Sequence, residues 1–362
     1  MFLQSIFKKS SLASMFLVGA VSLAIAGCDN TPDIKVSDAE LFSQDWWKTA
    51  TMKEVKSLVK QEVDFNRKDP KNNNLSIFTI AAGHTETPEI ISLMLKNGAN
   101  VNIRDDLGGT PLLGAALSNK SPKVIEILLK NGADINMKTG DGNNALHFAV
   151  MYNYRNIDII KTLIKNGFDV NSKDNMGATT LMKAVAFNEN TDVIELLIDK
   201  GADVNSVNDN GIDVLSTAAV QSNNPEIIHF LVNKGAKISS ITNNKTPFKS
   251  ILVFASMNKN PKVFEAIANY YFKSLNEKEQ TTVCIGYEGG IMGRNNRGIE
   301  DRFINVSLSS YHTKYGQSEI NMDLLLSARP ISLNPDIKRD VIDIMDAQCN
   351  PLLRDLNKYS PI

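Results

Sequence analysis

The sequence predicts a mainly α-helical repeat solenoid with a small α+β appendage at its C-terminal end. Three observations carry that expectation. A phrase of the form Asn-Gly-Ala-Asp-Val-Asn returns at a nearly fixed interval, two short apolar helical patterns fill each interval, and the period is lost after Tyr271. A fixed period of this size is the mark of stacked repeats. The composition agrees. Of 362 residues, 43% are hydrophobic and 22% charged, with 39 basic against 40 acidic side chains, which is enough apolar material for a core and too balanced for a disordered chain. A net charge of -1 lacks the basic excess of a nucleic-acid binder. Three cysteines exclude a disulfide-dense scaffold, and no apolar run approaches the roughly 20 residues of a spanning helix.

Residues 1–27 read as a targeting segment. Lys8 and Lys9 precede an apolar run from Met15 to Ala26, the layout of a signal peptide. The run ends in Ile25-Ala26-Gly27-Cys28, which resembles the bacterial lipobox; the alternative is an ordinary signal peptide with an incidental cysteine. The resemblance implies lipidation of Cys28, with several palmitate-like acyl chains that anchor stably where one binds only marginally. Asp29 follows directly. At that place an aspartate resembles the inner-membrane retention signal of enterobacterial lipoproteins, which implies a body facing the periplasm from the inner membrane. Residues 28–43 are the lipidated cysteine and a polar tether.

The solenoid with its caps is expected over 44–271. Glycines 98, 132, 167, 201 and 235, the second residue of each recurring phrase, are spaced by 34, 35, 34 and 34 residues. Within a period, Thr110-Pro111-Leu112 starts a first helix, the threonine capping free N–H groups and the proline suiting the first turn. Ala115-Ala116 allows close approach of a second helix, whose Val124, Ile125, Leu128 and Leu129 form one apolar stripe. Gly132 ends that helix in a left-handed cap, and an extended finger follows. No unit can bury its own stripe, so the units must stack.

This pattern resembles the ankyrin repeat, whose Asp-x-x-Gly-x-Thr-Pro-Leu motif stands here as Asp105-Asp106-Leu107-Gly108-Gly109-Thr110-Pro111-Leu112. Looser copies begin at Ser76, Asn144, Thr179, Asp213 and Thr246. Only His147 fills the family's histidine place; Thr79, Leu113, Met182, Ser216 and Lys249 fill it elsewhere. Each unit exceeds the family period of about 33 by one or two residues, which fall between the paired helices, as at Asn119-Lys120-Ser121-Pro122. Five good units run from about Asp69 to Ile241, with a degraded cap at Trp46–Asn66 and another at Asn243–Tyr271. The resemblance implies a protein-binding platform without cofactor or catalysis.

Residues 272–362 form the expected appendage. Thr282 to Tyr287 and Phe303 to Ser310 alternate like strands, and a Gly/Arg-rich stretch, Gly286 to Gly298, joins them. Met322 to Leu326 fits a strand or a helix. Asp336 to Leu356 has the pattern of an amphipathic helix interrupted near Pro351. Cys284 and Cys349 suit a disulfide in an oxidising compartment, and closing that 65-residue separation contributes about 4 kcal/mol in the chain-entropy model. Two buried thiols are the alternative.

No metal or nucleophile motif accompanies His84, His147, His229 and His312, and no phosphate loop or dinucleotide fingerprint is present. Arg294 and Arg297 beside the glycines of 286–293 could hold an anion, or the stretch is a plain hairpin loop.

The partner-binding candidates are one residue per first helix, His84, Ser118, Tyr152, Phe187 and Gln221, with Met151 and Tyr154 extending the row. The fingers add Arg104, Asp106, Leu107, Asp141, Asn175, Met176, Asp209 and Asn210. Tyr152 and Phe187 suit an interface anchor, and the finger acids suit a partner with a basic patch. The alternative places the aromatics between helices and leaves the acids a solvated face. The layout as a whole resembles ankyrin-type lipoproteins that act as antidotes to secreted phospholipase effectors, such as those of type VI secretion. That implies a toxin-like protein partner in the periplasm. A scaffold or inhibitor for a resident envelope enzyme, and a ligand-sensing or enzymatic C-terminal domain, are the other readings.

Overall fold

The computed structural model describes residues 34–188, 191–238, 251–281, 283–284 and 338–357. The targeting segment with Cys28, the Gly/Arg stretch with Arg294 and Arg297, the expected strand at 303–310 and the segment at 322–326 lie outside the described residues.

Helices α1 (Asp38–Leu41), α2 (Gln44–Thr49) and α3 (Met52–Lys60) precede a two-residue antiparallel ribbon, β1 (Lys68–Asp69) with β2 (Leu75–Ser76), in the register Lys68 to Ser76. Five helix pairs follow: α4 (Ile77–His84) with α5 (Pro88–Lys96), α6 (Pro111–Ser118) with α7 (Pro122–Lys130), α8 (Ala145–Tyr152) with α9 (Ile157–Lys165), α10 (Thr180–Phe187) with α11 (Thr191–Asp199), and α12 (Val214–Gln221) with α13 (Pro225–Asn233). A sixth pair, α14 (Ile251–Ala255) and α15 (Pro261–Ser274), continues them, and α16 (Lys338–Asn357) packs on α15. First helices stack on first helices and second on second, giving two layers.

The local chemistry repeats with the period. The first helices of the five pairs begin at a side-chain cap: Ser76, Thr110, Asn144, Thr179 and Asp213 accept from the main-chain N–H three residues on, at 2.6–3.3 Å, so these looser copies keep the capping role of Thr110; the copy at Thr246 lies outside the described residues. Each second helix ends at a glycine such as Gly132 (φ +89°), where the Ala133 N–H donates to the Leu128 carbonyl at 3.0 Å, a backbone that favours glycine. Val124, Ile125 and Leu128 are fully buried, as are Ala115 and Ala116. α4 and α6 meet through Gly83 and Gly114, where an added Cβ would come within 3.3 Å of the facing backbone.

Side-chain amides join the repeats. The Asn102 amide donates to the Gly132 carbonyl (2.9 Å) and accepts from the Asp134 N–H (2.9 Å). Asn66, Asn171 and Asn205 make the same two bonds one repeat on. Asn136 departs from this: it bonds to Asp134 within its own turn, at the junction where buried Phe168 replaces the alanine of the other copies. A second set lies between the paired helices. Asn119, Asn153, Asn188 and Asn258 donate back to carbonyls of the preceding repeat at 2.6–3.3 Å.

At the C-terminal end, two expectations are corrected. Val283 and Cys284 are helical, not extended. A capping box starts this helix, with the Glu279 N–H donating to Asn276 Oδ1 (3.0 Å) and the Asn276 N–H to Glu279 Oε2 (2.9 Å), and it outweighs the β preference of Val283; Thr282 and residues 285–287 of the expected strand lie outside the described residues. Helix α16 continues through Pro351. The proline removes one bond to the Ala347 carbonyl, while buried Met345 and Cys349 hold the preceding turns. Cys284 and Cys349 are joined with their Cα atoms 5.2 Å apart, and Gln348 donates to Asn269 of α15 at 3.0 Å. Helix α15 runs across Tyr271, where the repeat region was expected to stop.

Two predictions follow from the bridges. Asn102→Ala removes both bonds of one bridge and costs about 1–3 kcal/mol, whereas Asn136→Ala costs less than about 0.5 kcal/mol; urea unfolding of the two variants measures the difference. His147 is fully buried, accepts from the Asn144 N–H at 3.2 Å and donates through Nε2 to the Ser172 carbonyl at 3.0 Å. Burial first, aided by the Lys183 and Lys138 charges, depresses its pKa from 6.5 to about 4. The unfolded chain therefore binds the extra proton, so this contribution is complete above about pH 6.5 and is lost as the pH falls toward 4, up to about 3 kcal/mol. Unfolding midpoints measured between pH 7.5 and 4 should fall in the native chain and fall less in His147→Gln.

Candidate protein-binding surface

His84, Ser118, Tyr152, Phe187 and Gln221 are the last residues of α4, α6, α8, α10 and α12. Because those helices stack, the five positions form one row across the inner layer. Ser118 and Gln221 are exposed, and Tyr152 and Phe187 are 44% and 50% exposed. The Tyr152 ring lies 6.2 Å from Phe187 and 6.2 Å from Phe148 one turn earlier, so three aromatics form a continuous strip in which Tyr152 and Phe187 face solvent and Phe148 is half-buried. Partial burial raises the Tyr152 phenol pKa. His84 is half-buried and its Nδ1 bonds the Ile80 carbonyl of its own helix at 3.0 Å; burial lowers its pKa. Met151 was expected to extend the row but is buried, at 6% exposure. One residue is about 100° of helix turn, which carries it from the face of Tyr152 into the core. Tyr154 is half-buried, with the Arg155 guanidinium 5.9 Å from its ring centroid.

The fingers are zipped by main-chain bonds. The N–H of Asp106 donates to Asn73, Gly140 to Leu107, Asn175 to Asp141 and Asp209 to Met176, at 2.9–3.1 Å. Asp105, Asp174 and Asn208 brace each tip, their Oδ1 accepting from N–H groups two and four residues on. Asp174 also pairs with Lys183 at 2.5 Å, largely out of water. Burial pushes its pKa up, but Lys183 and the two N–H donors outweigh it and hold it low.

The finger acids are accompanied by cations. Asp106, Asp141, Asp209 and Asn210 are exposed, and Asp106 accepts from Asn74 at 2.9 Å. Behind the tips runs a row of exposed cations. Lys68 donates to the Arg104 carbonyl, Arg104 to Lys138, Lys138 to Lys173 and Lys173 to Val207, at 2.7–3.2 Å. Carboxylates and cations thus alternate at the finger edge. Leu107 (50%), Met176 (60%) and Val207 (43%) add exposed apolar groups. Val207 was missed, although the sequence marks it as the residue that ends the basic row at 68, 104, 138 and 173.

A depression of about 630 Å³ lies beside the aromatic strip, between the loop after α6 and the loop after α8, lined by Ser118, Lys120, Tyr152, Tyr154 and Arg155 among others. Arg155 was not singled out by the sequence, because an isolated exposed arginine has no pattern of its own. Among the described residues, no cluster of three His, Cys, Asp or Glu side chains could hold a metal, and no helix is long and apolar enough to cross a membrane.

An exposed aromatic row on the inner face of stacked helix pairs, edged by rigid fingers, defines a repeat protein whose fold serves to bind other proteins. The family model for ankyrin repeats matches residues 49–139, 115–208, 146–241 and 181–279, and the chain belongs to the ankyrin-repeat family. The crystal structure of the human ASB11 ankyrin repeat domain is similar in fold, with a TM-score of 0.51 and 24% identity over 62% of this chain and 96% of that one. No curated protein matches the chain.

The finger packing gives a further prediction. Gly177 has φ +74° and an added Cβ would meet the Asp209 carboxylate and its main-chain nitrogen, whereas Gly201 (φ +92°) has open space around it. Gly201→Ala meets only the backbone strain of a positive φ, about 1 kcal/mol, and Gly177→Ala should cost at least about 1 kcal/mol more, read as the difference in unfolding free energy.

Proposed function

We propose that the chain is a membrane-anchored periplasmic lipoprotein that binds a protein partner. Most concretely, it is an immunity protein that neutralises a secreted antibacterial effector of phospholipase type by covering it. The observation that carries the binding role is the exposed Tyr152–Phe187 pair on a rigid helix stack. Anchoring is read from Lys8, Lys9, the apolar run and Ala26-Gly27-Cys28, and the inner membrane from Asp29. A Cys284–Cys349 bond suits an oxidising compartment. A standard complex buries about 800 Å² per partner, which the inner face of a few repeats supplies, and a tethered stack meets an incoming effector before the effector meets phospholipid.

The test has two arms. Cells expressing the chain should incorporate labelled palmitate, and Cys28→Ser should abolish both the label and sedimentation with membranes. Used as bait on detergent-solubilised envelope from cells exposed to the effector, the chain should retain one stoichiometric lipase-like enzyme whose activity falls as bait is added. Tyr152→Ala combined with Phe187→Ala should weaken that complex by about thirtyfold or more, corresponding to about 2 kcal/mol. Retention of a resident envelope enzyme instead would make the chain its scaffold or inhibitor, and absence of the lipid label would remove the anchoring.

A further inference from the structure

We infer that the depression beside Tyr152 receives an acidic side chain of the protein partner, set next to an apolar residue seated on the Tyr152–Phe187 pair. This rests on the inner face being the docking surface and adds the chemistry of what docks there. The lining holds two cations, Lys120 and Arg155, and no carboxylate. Its remaining groups are hydroxyls and amides, and the amides are already engaged. Asn153 donates to the Asn119 carbonyl at 2.6 Å and Asn156 to the Lys120 carbonyl at 2.5 Å. These bonds fasten residues 153–156 to the preceding repeat and hold Arg155 in place on a fixed loop.

Arg155 is exposed, and its one interaction among the described residues is with the Tyr154 ring. The other exposed cations of the inner edge differ. Lys68, Arg104, Lys138 and Lys173 each donate to a main-chain carbonyl of the next repeat. Lys120 pairs with Glu86 at 3.3 Å, but both side chains are mostly exposed, at 83% and 60%; such a pair is weak and readily exchanged for a better acceptor. A guanidinium on a loop bonded to the preceding repeat, beside one aromatic ring and short of an acceptor among the described residues, matches a carboxylate. The neighbouring apolar strip lowers the local dielectric and strengthens that pairing. The volume of about 630 Å³ exceeds one carboxylate side chain and suits a short acidic loop with an aromatic or aliphatic neighbour.

The test selects phage-displayed random peptides on the full chain in detergent micelles and titrates the synthesised winners against variants. Selected peptides should carry Asp or Glu beside Phe, Trp or Leu. Arg155→Glu should weaken them at least about tenfold, Lys120→Glu should weaken them further, and added salt should have the same sign. All four positions are exposed, so unchanged unfolding midpoints show that the variants remain folded. Winners lost on Tyr152→Ala with Phe187→Ala but indifferent to Arg155→Glu, or winners that are basic, would overturn the acidic chemistry and leave the docking face intact. A selection that yields no peptide sensitive to any of the four substitutions would overturn both.

Discussion

The stack depends on side-chain amides that complete the main-chain hydrogen bonding of a neighbouring repeat. At the finger root, one asparagine offers a donor to a carbonyl and an acceptor to an N–H of the next unit, as Asn102 does for Gly132 and Asp134. An aspartate has no donor for the carbonyl, and a glutamine is one methylene too long for the same two atoms. Between the paired helices, Asn119, Asn153, Asn188 and Asn258 do the reverse, donating to the repeat before. A repeat is thus held from both sides by its neighbours' side chains, and the near-constant period follows. An inserted residue would displace the amide from its target and leave polar groups of two units unpaired. Stability in such an array is a sum of local and nearest-neighbour terms, and much of the nearest-neighbour polar contribution sits in these asparagines.

That arrangement also decides which residues remain for a partner. Positions that hold the stack are buried or already bonded: His147 reaches Ser172, Lys183 reaches Asp174, and the finger cations reach carbonyls. The last residue of each first helix lies just outside this network, and there the side chains vary freely, from Ser118 through Tyr152 and Phe187 to Gln221. The fold tolerates an exposed aromatic at that place because nothing structural depends on it, and the neighbouring rings cover part of its apolar surface.

Much of this was legible in the sequence, because a repeat writes its contacts into the chain at a fixed interval. The caps, the buried stripe of Val124, Ile125 and Leu128, and the exposed row through Tyr152 and Phe187 all follow from local spacing. What escaped is non-local or a matter of competing local signals. Met151 and Tyr152 are adjacent apolar residues, and only the phase of the helix against its neighbours separates core from surface. Counting acids at the fingertips overlooked the cation row, whose direction is set by carbonyls 34–36 residues away. At Val283 and Cys284 a strand-like composition lost to a capping box a few residues upstream. After Tyr271 no period remains to be read, and the sequence alone could not separate an interruption at Pro351 from a helix that passes through it.

The one irregular junction bears on the binding surface. Where Asn136 turns back to Asp134, the finger root between the α6–α7 and α8–α9 repeats lacks the bridge made at the other junctions described. The opposite edge of that same junction carries Asn153 and Asn156, bonded to Asn119 and Lys120. The finger still joins these two repeats beyond its root, with Asn175 donating to the Asp141 and Gly140 carbonyls and Lys138 to the Lys173 carbonyl, so the loop edge shares the junction with the fingertips and the apolar core. Tyr152 and Arg155 stand on that edge, and the depression they line is walled by the two loops that the bridges join. The asparagines that hold the stack at this junction are thus the ones that shape its candidate site. A change at Asn153 or Asn156 would therefore disturb the junction and the shape of the depression together, whereas Tyr152 and Arg155 take no part in these bridges.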